Sequence, residues 1–254
     1  MMLNWKNLDT LASYEELKKV EPVNVAEAMS GENGAERVKN YSIPMMDGLT
    51  YNYAAKAVDD KVLAALAKLA GEAQLIEKYE SLYNGAVINT GEKRLVLHQL
   101  TRGQLGDDVV AEGVNKREFY VAQQQKIADF ANKVHAGEIT NAAGEKFTTV
   151  VQIGIGGSDL GPRAMYLALE NWAKVNNKFK MEAKFISNVD PDDAAAVLNS
   201  IDVAHSIFIL VSKSGTTLET LTNESFVKDA LAKAGLDASK HMIAVTSETS
   251  PLAK

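Results

Sequence analysis

The stretch that decides the fold covers residues 207–220: Ile207-Phe208-Ile209-Leu210-Val211-Ser212-Lys213-Ser214-Gly215-Thr216-Thr217-Leu218-Glu219-Thr220. Its first five residues are apolar and mostly β-branched or aromatic, which predicts a buried β-strand. Residues 218–234 contain no proline and predict a helix. Four hydroxyl side chains, one lysine and one glycine separate the two elements and form a polar loop, residues 212–217.

The polar loop has the composition of an anion-binding site. Backbone N–H groups at a helix N-terminus carry partial positive charge, and hydroxyl groups beside them can donate to the oxygens of an anion. Gly215 lets the backbone approach such a ligand closely, so the loop predicts a phosphate cradle. The alternative is an ordinary cap, because Thr216 and Glu219 have the spacing of a capping box. Lys213 is open to two interpretations, a phosphate partner or a solvated side chain.

Strand and helix patterns alternate through residues 148–246 and predict an α/β domain. The strands are predicted at residues 149–155, 183–189, 206–211 and 241–246, with helices that start near Asp159, Pro191 and Leu218. Such alternation indicates a parallel, doubly wound sheet that is flanked by helices. Ligands of such sheets bind beyond the carboxyl ends of the strands, where the polar loop falls.

A glycine-rich turn (residues 154–162) follows the first predicted strand: Gly154-Ile155-Gly156-Gly157-Ser158-Asp159-Leu160-Gly161-Pro162. It departs from the dinucleotide fingerprint G-x-G-x-x-G, because Asp159 stands where the third glycine should be. Asp190 is also a poor candidate for a ribose ligand after the second strand. The turn instead predicts close approach to a small ligand, with Ser158 as a donor. The alternative is a tight turn with Ser158 or Asp159 as N-cap.

The N-terminal part of the chain predicts mainly helices. They are expected at residues 8–20, 25–30, 53–70, 76–83 and 116–135, with turn-rich sequence at 34–47 and a loop at 103–113. We therefore divide the chain into a mainly helical region, residues 1–105, and an α/β domain, residues 106–254.

The composition is that of a globular protein and excludes several classes of function. The 254 residues are 46% hydrophobic and carry a net charge of −6, which disfavours a nucleic-acid surface. No run of 18 apolar residues and no signal-peptide pattern is visible, so we expect no membrane partner and a cytoplasmic location. Without cysteine, disulfides and thiolate chemistry are excluded. The four histidines lack helical metal spacing, so no metal site is expected.

Together, the glycine-rich turn and the polar loop resemble those of the glucose-6-phosphate isomerase family. Two further stretches are similar to the family, Arg94-Leu95-Val96-Leu97-His98 and Phe185-Ile186-Ser187-Asn188-Val189-Asp190, in the same order and with similar spacing. The resemblance runs from about residue 40 to the end of the sequence. Either turn alone would indicate only a sugar-isomerase (SIS) domain, whereas the pair is specific.

The resemblance implies an SIS-type fold and an aldose–ketose isomerase that interconverts glucose 6-phosphate and fructose 6-phosphate in glycolysis and gluconeogenesis. Family members need no metal or organic cofactor and are homodimers in their full-length form. By matched position, the polar loop would hold the phosphate of the hexose 6-phosphate through Ser212, Ser214 and Thr217, with Lys213, Gly215 and Thr216 beside them. Gly157 and Ser158 would face the sugar.

The resemblance also implies that the catalytic residues are missing. The family's glutamate base, its ring-opening histidine and a late lysine would lie beyond Lys254, so no catalytic residue is assigned in this chain. We therefore expect a truncated portion of the enzyme that carries a phosphate-binding half-site and is inactive alone. The alternative is a non-catalytic SIS module that binds sugar phosphate. A DNA-binding regulator or a glucosamine-6-phosphate synthase is disfavoured, because neither a basic element nor a cysteine nucleophile is present.

Overall fold

A computed structural model describes residues 3–103 and 105–253, so that Met1, Met2, Gln104 and Lys254 lie outside the described residues. The chain divides into two units, Met1–Ala122 and Gln123–Lys254. The sequence-based division at residues 105/106 stays a prediction. None of the helices in the described part of the chain has the length and apolar character needed to cross a membrane.

The first unit combines short helices with two small antiparallel sheets. β1 pairs with β2, and β3 pairs with β4. The elements are α1 (Ala12–Leu17), α2 (Val25–Ala28), α3 (Gly31–Asn40), β1 (Ser42–Met46), β2 (Leu49–Asn52), α4 (Asp60–Glu72), α5 (Leu75–Tyr83), β3 (Val110–Ala111), β4 (Val114–Asn115) and the start of α6 (Lys116–Ala136). The strand β3 lies within the segment that was predicted to be a loop.

The predicted helix at residues 53–70 is wrong in its first part, because α4 begins only at Asp60. Asp59 sets this start, since its carboxylate accepts a hydrogen bond from the Val62 N–H at 2.9 Å. Tyr53 instead lies at the end of the β1–β2 hairpin, where its ring stacks on that of Tyr51. A cap and an aromatic pair therefore override the helical pattern of this segment.

The turn-rich interpretation of residues 34–47 is also wrong, because α3 and β1 occupy this segment. Gly34 does not break α3. A Cβ on Gly34 would lie 2.3 Å from the Met29 carbonyl oxygen, so glycine permits a close backbone approach there. The buried Arg37 of α3 donates hydrogen bonds to the carbonyl groups of Ala54, Lys56 and Val58.

The second unit confirms the predicted α/β fold. Its four strands form one parallel sheet in the order β6-β5-β7-β8. The elements are β5 (Thr149–Ile153), α7 (Leu160–Val175), β6 (Glu182–Ile186), α8 (Pro191–Asn199), β7 (Ser206–Val211), α9 (Leu218–Lys233), α10 (Ala238–His241) and β8 (Met242–Val245). All four predicted strands are present, although β6 ends three residues before the predicted Val189.

Both faces of this sheet are covered. On one face, α8 and α9 pack against the strands through a buried cluster of Val151, Ile153, Ile186, Ala194, Phe208, Leu210, Val227 and Leu231. On the other face, Ile207 packs with Phe147 and with Val134 of α6. Neighbouring residues of a strand point to opposite faces, so Ile207 and Phe208 serve different clusters. β7 is buried or half-buried along its whole length, which explains its continuous apolar run in the sequence.

Candidate functional site

The two sequence-predicted turns leave the sheet side by side. β5 and β7 are neighbouring parallel strands in a register that pairs Ile153 with Leu210. From β5 the chain continues to β6 on one side, and from β7 it continues to β8 on the other. This reversal is the topological switch point, and in open parallel sheets the crevice beyond it is the usual ligand site.

The polar loop is shaped by Ser212, a residue that is only 3% exposed. Its hydroxyl oxygen lies 3.0 Å from Thr217 Oγ1 and accepts a hydrogen bond from the Gly215 N–H at 3.1 Å. The Ser212 N–H donates to the Val245 carbonyl at 3.1 Å and so extends the pairing of β7 with β8. Ser212 therefore connects the start, middle and end of the loop.

Ser214 and Thr216 form the exposed side of the polar loop. The hydroxyl oxygen of Ser214 accepts two hydrogen bonds from Thr216, at 3.2 Å from its N–H and at 3.0 Å from its Oγ1. Two donors thus converge on one oxygen at the surface. An oxygen of an anion can take the place of the Ser214 oxygen if that side chain rotates, so the loop can present both donors to a ligand.

The capping-box interpretation of this loop is wrong. Helix α9 begins at Leu218, and its N-cap residue is Thr217, one position later than a capping box with Glu219 requires. The hydroxyl group of Thr217 faces Ser212, and among the described residues no side chain caps α9. The positive end of a 16-residue helix therefore points into the loop without a side-chain acceptor.

Two features of the structure require glycine at position 215. Its φ of +68° lies in the left-handed region, and a Cβ at this position would lie 1.9 Å from the Ser250 hydroxyl oxygen. Lys213, the remaining residue of the loop, has an exposed side chain.

The glycine-rich turn folds back on the end of β5. Gly156 has a φ of +57°, and residues Gly156–Ser158 form one 3-10 turn. A Cβ on Gly154 would lie 2.9 Å from Ser158, so only glycine allows this fold. Gln152 of β5 secures the turn, since its side-chain amide donates to the Ser158 carbonyl at 2.6 Å. Gly157 remains exposed and Ser158 is half-buried.

Asp159 occupies the N-cap position of α7, but its side chain does not cap the helix. Asp159 is 3% exposed, and its carboxylate accepts hydrogen bonds from Nε and Nη2 of Arg163 at 3.1 and 3.0 Å. Asp159 is therefore the N-cap residue, as the alternative interpretation expected, but its side chain does not make the expected capping hydrogen bond. Asp190, the weak candidate for a ribose ligand, caps α8 by accepting from the N–H of Asp192 at 2.9 Å.

Comparison with known proteins identifies the family to which this chain belongs. The family model described as phosphoglucose isomerase matches residues 52–254, which include both turns. The chain belongs to the phosphoglucose isomerase family.

Relatives in this family extend the match over nearly the whole chain. The glucose-6-phosphate isomerase of Treponema denticola is 60% identical over 99% of this chain and 48% of its own length. That of Borreliella afzelii is 44% identical over 99% of this chain and 47% of its own length. A crystal structure of a glucose-6-phosphate isomerase from Chlamydia trachomatis has a TM-score of 0.78 and 35% identity, covering 98% of this chain and 47% of that one. The chain spans about half the length of the curated relatives it matches.

Within this phosphoglucose isomerase fold, sequence reasoning missed two buried polar residues of α9. Thr220 is 1% exposed and Asn223 is fully buried, yet Thr220 Oγ1 and Asn223 Oδ1 have no hydrogen-bond partner among the described residues. The Asn223 amide donates to the Asn188 carbonyl at 3.1 Å and so ties α9 to the segment after β6. The signal was available, because both residues lie on the helix stripe that continues through Val227 and Leu231.

The titratable groups of the described residues do not gather into a metal site. No group of three or more histidine or acidic side chains in residues 3–103 and 105–253 is arranged to hold a metal ion. The site at the switch point consists instead of hydroxyl groups, backbone N–H groups and the end of one helix.

Proposed function

We propose that this chain is a portion of an aldose–ketose isomerase that interconverts glucose 6-phosphate and fructose 6-phosphate, and that it carries the phosphate-binding half of the active site. The relatives and the solved structure that support this proposal are named glucose-6-phosphate isomerase. The chain spans about half of their length, so the activity of the whole enzyme is itself part of the proposal.

The observation that carries the proposal is the uncapped start of α9 behind the polar loop. A phosphate dianion there gains from the helix dipole, from the N–H groups of the first turn and from hydroxyl groups. Ser214 and Thr216 supply exposed hydroxyls, and Thr217 stands at the N-cap. Ser212 shapes the loop from its buried position, and Lys213 adds positive charge at the exposed edge.

The glycine-rich turn is proposed to contact the sugar. The turn follows β5, and the polar loop follows the neighbouring strand β7. A ligand whose phosphate lies at the start of α9 therefore has its sugar along the same edge of the sheet, close to this turn. Gly157 is exposed and lacks a side chain, which allows the backbone to approach a hydroxyl-rich ligand. Ser158 adds a hydroxyl group at the start of α7.

The isomerisation needs groups that we do not assign in this chain. A proton moves between the two neighbouring carbons C2 and C1 through an enediolate, so a positioned base is required. We propose that the base and the acid that opens the sugar ring belong to the part of the family's sequence that this chain does not include. The full-length protein is proposed to be a cytoplasmic homodimer that acts in glycolysis and gluconeogenesis.

Calorimetric titration of the 254-residue chain with fructose 6-phosphate tests the binding half of the proposal. We expect fructose 6-phosphate to bind, fructose not to bind, and inorganic phosphate to compete with fructose 6-phosphate.

The loss of one donor to a charged phosphate costs about 1.5–3 kcal/mol, or roughly 10- to 150-fold in Kd. Thr217→Ala and Ser214→Ala should therefore bind more weakly. Ser225→Ala is the matched control, because it removes an exposed hydroxyl group of α9 that donates, among the described residues, to the Leu221 carbonyl. Equal affinity in all four proteins would overturn the assignment.

A coupled isomerase assay tests the catalytic half and separates it from a non-catalytic binding module. The purified chain should turn over negligibly alone, since each missing acid–base group is worth about 10²–10⁴ in rate. Addition of a separately produced polypeptide that covers the remainder of a close relative should restore turnover. Binding without restored turnover would favour the module, and turnover by the chain alone would mean that a base lies within these residues.

A further inference from the structure

Residues 246–252 follow β8 and contact the polar loop at three points; we call this segment the brace. We propose that the brace fixes the conformation of the polar loop, with Thr246 and Ser250 as positioning residues. The consequence for ligand binding rests on the proposed function, whereas the effect on loop conformation does not. Neither Thr246 nor Ser250 is among the site residues predicted from the sequence.

The first contact fixes the peptide group after Ser212. The hydroxyl group of Thr246 donates to the Ser212 carbonyl at 2.6 Å, while the Ser212 N–H already donates to the Val245 carbonyl. Both backbone groups of Ser212 are therefore held by β8 and the residue that follows it. Since the Ser212 hydroxyl binds Gly215 and Thr217, its orientation decides where the rest of the loop lies.

The second and third contacts support the middle of the loop. The Ser247 N–H donates to the Lys213 carbonyl at 3.4 Å. Ser250 is 3% exposed and lies directly against Gly215, because a Cβ at Gly215 would be 1.9 Å from the Ser250 hydroxyl oxygen. That oxygen also accepts a hydrogen bond from the Leu252 N–H at 3.1 Å, so it cannot turn away without losing a partner.

The brace is anchored at both ends, which allows it to hold the loop. At its start it continues β8, which pairs with β7 in the sheet. At its end Leu252 packs against the buried cluster between the sheet and α9. Between them, the Ser250 N–H donates to the Ser247 carbonyl at 2.9 Å and closes a turn.

The brace touches the buried members of the loop and the Lys213 carbonyl, and it leaves the exposed hydroxyl groups of Ser214 and Thr216 available. Ser212 and Gly215 are buried, whereas Ser214 and Thr216 are exposed. The loop is therefore supported from the protein interior while its donors stay accessible, as pre-organised binding requires. A ligand then does not have to order the loop when it binds.

The test compares Thr246→Val, which keeps the side-chain shape but removes the hydroxyl, with Thr246→Ser, which keeps the hydroxyl. Amide hydrogen exchange of the free chain is measured residue by residue, and fructose 6-phosphate affinity is measured by calorimetry. A net hydrogen bond is worth about 0.5–1.5 kcal/mol, so in Thr246→Val the Gly215 amide should exchange up to about tenfold faster. The amides of Ile209 and Leu210 in β7 should change less than about twofold, which excludes a general loss of stability.

The outcomes separate the brace from the proposed function. Faster exchange confined to the loop in Thr246→Val, with recovery in Thr246→Ser, supports the brace whether or not the sugar phosphate binds. Unchanged exchange at Gly215, or equal acceleration throughout β7, overturns it. If the wild type does not bind fructose 6-phosphate, the proposed function fails separately. Ser250→Ala is a second variant, which removes the Leu252 acceptor and should also accelerate exchange at Gly215.

Discussion

Ser212 and Thr217 close the polar loop, with their hydroxyl oxygens 3.0 Å apart. Ser212 is the first residue after β7, and Thr217 is the N-cap of α9. One buried side chain thus sets both the end of a strand and the start of a helix.

Removal of this hydroxyl group should destabilise the second unit. Ser212→Ala leaves the Gly215 N–H without its acceptor, and an unsatisfied buried donor costs about 1–3 kcal/mol. Urea unfolding should show the loss as a lower midpoint with an unchanged slope. Ser225→Ala, an exposed hydroxyl on α9, should stay within about 0.5 kcal/mol of wild type. A Ser212→Ala chain as stable as wild type would contradict the structural role of this hydroxyl.

Arg37 should be equally hard to replace in the first unit. Its guanidinium donates to three carbonyl groups, two of them at 2.7 and 2.6 Å, and lies 4.1 Å from the centre of the Tyr41 ring. Lysine cannot reproduce this planar set of donors, so Arg37→Lys should lose about 2 kcal/mol or more, because bonds to charged groups are worth about 1.5–3 kcal/mol each. Thermal unfolding of this variant and of the exposed control Lys39→Ala checks the prediction. Equal losses in both variants would refute it.

His205 should make stability depend on pH. Its Nδ1 lies 2.8 Å from an Asp202 oxygen and its Nε2 lies 3.0 Å from a Glu145 oxygen. The hydrogen bond to Asp202 raises the pKa of His205, and Glu145 adds to this effect. A raised pKa contributes stability below the unfolded value of about 6.5, and the contribution disappears as pH rises through the folded-state value.

The measurement is the urea midpoint of wild type and His205→Gln between about pH 5.5 and pH 8.5. Wild type should have its advantage over the variant at the acidic end and lose it at the alkaline end. The range stays well above the pKa of Asp202, which the hydrogen bond from His205 lowers, so this carboxylate remains charged throughout. An advantage that grows with pH would contradict the assignment.

The parallel sheet was predictable from sequence because its strands are short apolar runs between helical segments. Ser206–Val211 was predicted to the residue, since polar residues bound it on both sides. Residues 53–59 were wrongly predicted to be helical. The cap at Asp59 and the stacking of Tyr53 on Tyr51 determine this segment, and hydrophobic periodicity contains no information on either contact. Tertiary context overrides weak helix propensity in this way.

The chemistry of the site was predictable in part. Hydroxyl groups and glycine at a strand–helix junction pointed to the polar loop, but the burial of Ser212 and the contact between Gly215 and Ser250 depend on residues 35 positions apart. Gln152 and Ser158 are close in sequence, but the hydrogen bond from the Gln152 amide to the Ser158 carbonyl also forms only once the turn has folded. Sequence spacing gives the type of donor, whereas the fold decides which donors face a ligand.

The central claim is that the polar loop and the glycine-rich turn form one sugar-phosphate site, and amide chemical-shift mapping tests it most directly. The chain, labelled with ¹⁵N, is titrated with fructose 6-phosphate and, separately, with inorganic phosphate. We predict that phosphate shifts the amides of Thr216, Thr217 and Leu218, and that the sugar phosphate shifts these together with Gly157 and Ser158. Shifts confined to other parts of the chain, or none at saturating ligand, would contradict the account.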